Sequence, residues 1–146
     1  MNDVLHKLPQ FLGNHPFLLA LFVALVLALI VTEILRLTRK WKELTPASLT
    51  LLINRESPLV VDISAYAVYE KAHIPGSRHV PPSQFDPENK QLAAARSLPV
   101  VLVCKAGQAS ADAARRLRKA GFERVYVLDG GIGAWQQADL PLAKGR

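Results

Sequence analysis

Residues 17–31 (FLLALFVALVLALIV) are apolar without a break, and residues 8–32 contain no Asp, Glu, Lys or Arg. At about 1.5 Å rise per residue this uninterrupted run spans ~22 Å, short of the ~30 Å hydrocarbon core of a bilayer. Extending the helix to Leu37 closes the gap and admits Thr32, Glu33 and Arg36. Glu33 and Arg36 then share one face near the helix end, where Arg36 can snorkel to the headgroups. Pro16 suits the first turn of such a helix. The pattern predicts a transmembrane helix over residues 16–37, an extramembrane segment over 1–15 and a basic linker over 38–45. A cleaved signal peptide would want a basic start, a shorter apolar stretch and a small-residue cleavage site. This chain has only Lys7 against Asp3 at its start, and TEILRLTRKWKEL after Val31. Arg36, Arg39, Lys40 and Lys42 follow the span, so the positive-inside rule puts the remaining chain in the cytoplasm and Trp41 at the interface.

Beyond the span the hydrophobic pattern changes character. Thr45-Pro46 reads as an N-cap followed by proline at the first helical position, opening PASLTLLIN. The run LVVDI (59–63) is continuously apolar before its polar end, as in a buried parallel strand. YAVYEK (66–71) follows as a short helix, SRHV (77–80) as a weak strand between prolines, and LAAARSL (92–98) as another helix. The strongest strand is VVLVC (100–104). A helix over 109–120 comes next and stops at Gly121, where a Schellman-type cap would join Leu117 to Phe122. VYVL (125–128) is the last strand, and two glycines turn the chain into a final helix. Strands alternating with helices imply an α/β domain over 46–146, a mostly parallel sheet with helices on both faces.

Composition adds two constraints. The 146 residues carry 18 Lys and Arg against 12 Asp and Glu, a formal net charge of +6, yet half of them are hydrophobic. The apolar excess belongs to the span, and part of the charge to the collar behind it. With a single cysteine, Cys104, the chain holds no intrachain disulfide and no multi-cysteine zinc or iron–sulfur site. No metal and no cofactor are expected.

Cys104 ends the strongest strand just before a loop that runs into a helix, the edge at which open α/β sheets bind ligands. In the loop CKAGQA, Gly107 lets the backbone turn tightly, so that successive N–H groups point inward at an anion. The helix N-terminus adds positive potential and Lys105 a full charge. Together they outline an anion cradle with a sulfur nucleophile at its centre. Sequence alone leaves open that Cys104 is a small core residue, as free cysteines often are. A cysteine–histidine hydrolase needs a base oriented beside the thiol, and nothing in the spacing of His73 and His79 brings either there.

Three segments, VDISAYAVYEKAHIPGSRHVP, VVLVCKAGQASADAARRLRKAGF and VYVLDGGIGAWQQADLPL, resemble in order and spacing the single-domain rhodanese-like sulfurtransferases. With the apolar span in front, the chain is similar to the YibN-type group of membrane-anchored bacterial rhodaneses. The resemblance implies a rhodanese fold and a double displacement. The loop cysteine takes sulfane sulfur from a donor such as thiosulfate or a persulfide, then passes it to a thiol acceptor. By position Cys104 is the nucleophile, and Lys105, Ala106, Gly107, Gln108 and Ala109 form the cradle. Asp62 and His73 match positions that hold the fold in place. Ala109 and Ser64 stand where many relatives carry arginine. Cysteine phosphatases on related folds need an arginine six residues after the cysteine, where this chain has Ser110.

Arg115, Arg116, Arg118 and Lys119 form a basic face on the helix after the loop, which as a solvated amphipathic face needs no ligand. No nucleic-acid motif accompanies it. Trp135 reads as packing, with an indole N–H that wants a partner. The sequence thus predicts a single-pass protein of the bacterial inner membrane whose cytoplasmic domain carries sulfur on Cys104. The competing reading is a non-enzymatic tethered module that binds other membrane proteins.

Overall fold

The computed structural model describes residues 14–145, the side chain of Arg36 apart. Most of the expected extramembrane segment, Lys7 included, and the expected placement of the Arg36 head therefore lie outside the described residues. These residues divide into two units, one ending at Arg39 and the other beginning at Lys40.

In the first unit, helix α1 (Pro16–Leu37) carries proline in its opening turn. Its 22 residues extend ~33 Å, long enough to cross a bilayer. Side chains such as Phe17, Leu21, Phe22 and Leu29 are exposed along it, so the helix buries none of its apolar residues within its own unit in the manner of a core helix. Thr32 donates its hydroxyl to the Leu29 carbonyl, so this polar group in the span is satisfied within the helix.

The second unit is built on one parallel sheet. Strands β1 (Lys42–Leu44), β2 (Leu59–Asp62), β3 (Arg78–His79), β4 (Val100–Val103) and β5 (Val125–Leu128) lie in the order β1-β5-β4-β2-β3, every neighbouring pair parallel. Helices α2 (Pro46–Glu56), α3 (Tyr66–Lys71), α4 (Lys90–Ala93), α5 (Gln108–Lys119) and α6 (Gly131–Gln137) connect the strands or follow them.

Residue alternation on the strands sorts the core into two layers. Val61, Val100, Leu102, Val125 and Val127 join Ala113, Ala114 and Leu117 of α5 on one side. Val60, Val101, Val103 and Leu128 join Leu49 of α2 and Ile132 and Trp135 of α6 on the other. All four residues of β4 are buried because the strand feeds both layers.

Local chemistry sets the ends of these elements. Thr45 Oγ1 accepts the Ser48 N–H at 3.2 Å and caps α2, with Pro46 at its first position. The α5 helix ends in the Schellman pattern, Phe122 N–H to Leu117 O at 3.1 Å and Gly121 N–H to Arg118 O at 3.3 Å. Trp135 Nε1 donates to the Pro141 carbonyl at 2.9 Å, which supplies the partner its burial requires.

Two expectations change, and Trp41 gains a packing role. Residues 42–44 of the expected basic linker pair with β5 as an edge strand, giving five strands where the apolar pattern showed four. Only Leu44 of that strand meets a core layer, so so short and polar a strand has no hydrophobic signature. Trp41, expected at a membrane interface, packs half-buried on the first core layer. The helix expected over 92–98 begins earlier, where Asn89 Oδ1 accepts the Gln91 N–H, and stops at Ala93. Past Ala93 the chain continues in turns such as Ala95 N–H to Leu92 O and Leu98 N–H to Ala95 O, and Pro99 disfavours helical backbone at Leu98.

Candidate active site

Cys104 follows the last residue of β4, at the carboxyl edge of the sheet. Its side chain is both a member of the first core layer, 4% exposed, and part of the lining of a cavity of roughly 350 Å³. The two sequence readings of this cysteine therefore describe one residue: the sulfur is packed from below and opens to a cavity above.

The loop from Lys105 to Gly107 lifts the chain from β4 into α5. Gly107 is the N-cap of α5, at φ 89°, and no side chain caps that helix. The opening N–H groups of α5 are therefore not taken up by a side-chain cap. The Gly107 N–H itself donates to Cys104 Sγ at 3.0 Å. Lys105, Ala106, Gln108 and Ala109 line the cavity with the cysteine, so five of the six loop residues named from the sequence border it. Gly107 contributes through its N–H.

A second glycine holds the loop from behind. Gly131, at φ 58°, lies against the loop so closely that a Cβ there would overlap the Cys104 carbonyl oxygen and crowd the Lys105 carbonyl. That approach lets Ile132 N–H donate to Cys104 O at 2.9 Å and Gly133 N–H to Lys105 O at 3.3 Å. The start of α6 thereby fixes both carbonyls of the loop's opening residues. Sequence reasoning saw the two glycines as a turn. Their role in positioning the loop depends on a contact across 27 residues that no local pattern displays.

The opposite wall comes from the loops after β2 and β3: Ile63, Ser64, Ala65 and Pro82, joined by Val68 of α3. Asp62 shapes this wall from beneath. It is fully buried, and its Oδ1 accepts the Ser64 N–H at 2.8 Å. His79 Nε2 donates to the Ser64 carbonyl at 2.8 Å, so both backbone groups of Ser64 are held.

His73 stands elsewhere. Its ring stacks on Tyr69 with centroids 3.9 Å apart, its Nδ1 donates to the Tyr69 carbonyl, and its backbone bridges to Ala143. The structure thus brings Asp62 under the cavity wall and leaves His73 out of the cavity. Neither His73 nor His79 is among the residues that line it, so neither stands there as the base of a cysteine–histidine pair.

The basic run on α5 is largely committed to the fold. Arg116 donates to the Phe85 carbonyl at 2.6 Å and lies over the Phe85 ring. Arg118 donates to the Phe122 carbonyl at 2.9 Å, and Arg115 pairs with Asp112 at 3.6 Å. Ser110, in place of a phosphate-gripping arginine, is fully buried.

The comparisons with known proteins match this geometry. The sequence profile of the rhodanese-like domain matches residues 45–138. The chain is 36% identical over 143 residues to the uncharacterised protein YibN of Escherichia coli strain K12, which covers 97% of this chain and 100% of YibN. It is 33% identical over 98 residues to the thiosulfate sulfurtransferase GlpE of Pseudoalteromonas translucida, covering 67% of this chain and 91% of GlpE. A solved thiosulfate sulfurtransferase from Pseudomonas aeruginosa superposes with a TM-score of 0.64 at 30% identity, over 72% of this chain and 20% of that one. With a matched profile, a parallel sheet of the same fold and a cysteine loop at its carboxyl edge, the chain belongs to the rhodanese-like domain family.

Proposed function

We propose that the protein is a membrane-anchored sulfurtransferase that carries sulfane sulfur as a persulfide on Cys104. The observation that supports this most directly is the Gly107 N–H on Cys104 Sγ at 3.0 Å, at the edge of a cavity that the sulfur helps to line. A sulfur so placed borders the cavity, and a backbone donor and an uncapped helix start stand beside it to hold negative charge.

In the first half-reaction the Cys104 thiolate attacks the outer sulfur of the donor. The donor's S–S bond breaks, its electron pair leaves with sulfite or a thiolate, and a new S–S bond joins Sγ to the transferred sulfur. In the second, an acceptor thiolate attacks that outer sulfur and releases the Cys104 thiolate. The loop from Lys105 to Ala109 holds the charged sulfur between the two steps. Asp62 keeps the Ser64 wall in place and His73 keeps α3 on the C-terminal segment. The α1 helix anchors the chain in the bacterial inner membrane, and the basic residues from Arg36 to Lys42 keep the domain on the cytoplasmic side.

Thiocyanate formation from thiosulfate or a persulfide with cyanide as acceptor tests the proposal, with the full chain in detergent beside Cys104→Ala. Loss of the rate in Cys104→Ala is expected. Equal rates in both proteins would defeat the sulfurtransferase assignment and leave the non-enzymatic membrane module as the better reading.

A further inference from the structure

On the sulfurtransferase reading above, we propose that the donor used by this cavity is an organic persulfide with an apolar body, in preference to the thiosulfate dianion. The cavity wall carries the argument. Ile63, Ala65, Val68 and Pro82 on the facing wall, with Ala106 and Ala109 of the loop, present carbon to whatever approaches Cys104, and Ser64 and Gln108 are the uncharged polar residues among them. Among the described residues that line it, Lys105 is the sole cation, and its side chain is exposed to solvent.

A doubly charged inorganic anion entering here gives up water against hydrocarbon and gains one screened charge and a few backbone donors. Burial of charge without matching partners is unfavourable. An alkyl group loses nothing by the same move and gains from leaving water.

Size points the same way. About 350 Å³ falls in the range of roughly 300–1,000 Å³ typical of pockets that hold organic ligands, and a five-atom ion fills a small part of it. A narrower recess of about 60 Å³ shares Ile63, Pro82 and Ala109 with the main cavity and continues along α5 to Asp112 and Arg116. Ala109, Asp112, Ala113 and Arg116 follow helical spacing along one face of α5, so the recess extends the groove beyond the sulfur. A donor with a carbon body fits that extension.

The step is balanced as a simple displacement. The Cys104 thiolate attacks the outer sulfur of R–S–SH, and the S–S bond of the donor breaks. The electron pair departs with the R–S thiolate, and the proton stays on the transferred sulfur. No external oxidant or reductant enters.

The test follows the mass of the full chain in detergent during exposure to three donors: n-butyl persulfide, 2-sulfoethyl persulfide and thiosulfate. The first two share the reacting group and differ in the body that meets the wall. Transfer adds about 32 Da to the protein. The butyl donor is expected to load Cys104 at least about tenfold faster than either anionic donor. Val68→Asp should cut that preference to threefold or less. Ala109→Arg, at an exposed position of α5 that borders the cavity, should raise thiosulfate loading by about tenfold. Loading from thiosulfate or the sulfoethyl donor as fast as from the butyl donor would overturn this inference while leaving sulfur transfer intact. So would a butyl preference unchanged in both variants. Absence of added sulfur from all three donors would overturn the sulfurtransferase reading as well.

Discussion

Gly131 and Cys104 touch backbone to backbone: the space a Cβ on Gly131 would need is already taken by the Cys104 carbonyl oxygen. The contact joins the start of α6 to the loop that carries the sulfur, and it makes one glycine a condition of the site's shape. Gly131→Ala should cost about 1–3 kcal/mol or more through overpacking and a left-handed backbone. It should also slow sulfur loading per folded molecule. Gly121→Ala makes a sharp contrast, because a Cβ there meets nothing within 4 Å. Its cost should stay near 1 kcal/mol, with loading unchanged. Urea denaturation beside sulfur loading separates the two.

Asp62 is expected to act on the site through Ser64. Asp62→Ala leaves the buried Ser64 N–H without its acceptor and should destabilise by about 1–3 kcal/mol. The loosened wall should raise the donor KM more than it lowers kcat. Asp62→Asn retains an amide oxygen for the same N–H and should recover most of the loss. A KM unchanged in Asp62→Ala would refute the wall-holding role.

For His73 the expectation is the reverse. The stacked Tyr69 ring and the bond to the Tyr69 carbonyl are lost in His73→Ala, at about 1–3 kcal/mol for an aromatic contact and a buried hydrogen bond together. Loading per folded molecule should match the wild type, since His73 does not line the cavity. A changed pH profile of loading in this variant would show that the ring takes part in the chemistry.

Topology is checked by a reporter fused after Arg146 that is active only outside the cytoplasm. It should stay silent, while a cytoplasmic fluorescent fusion at the same place should glow. Activity of the first would reverse the orientation argued from Arg36, Arg39, Lys40 and Lys42. Alkaline extraction should leave the chain with the membranes, and replacing Leu21, Leu25 and Leu29 by Lys should release it.

Elements with strong local signals were legible from the chain alone. The bounds of α3 and β5 agree with the hydrophobic pattern, and the caps at Thr45 and Gly121 stand where the residue types placed them. The parallel arrangement followed from strands alternating with helices. What escaped depends on partners far away in sequence. The β1 strand exists because Lys42, Glu43 and Leu44 find Tyr126, Val127 and Leu128 beside them, a pairing that three mostly polar residues do not advertise. In the cavity, the loop residues were readable because they follow the cysteine directly. The facing wall of Ala65, Val68 and Pro82 comes from two other connections, and only the folded sheet brings it opposite Cys104. Likewise the arginines of α5 looked like a free basic face until their bonds to the Phe85 and Phe122 carbonyls were seen.

The chain's single thiol sets a limit on how such a carrier can work. A persulfide formed on Cys104 has no second cysteine in the same molecule to attack it, so discharge waits for a collision with an outside thiol. On the proposed sulfurtransferase reading, each chain then carries its sulfur on Cys104 alone, and the stock of loaded sulfur rises and falls with the number of chains. Supply and delivery become separate encounters, each with its own concentration dependence, and the loaded form persists whenever acceptors are scarce.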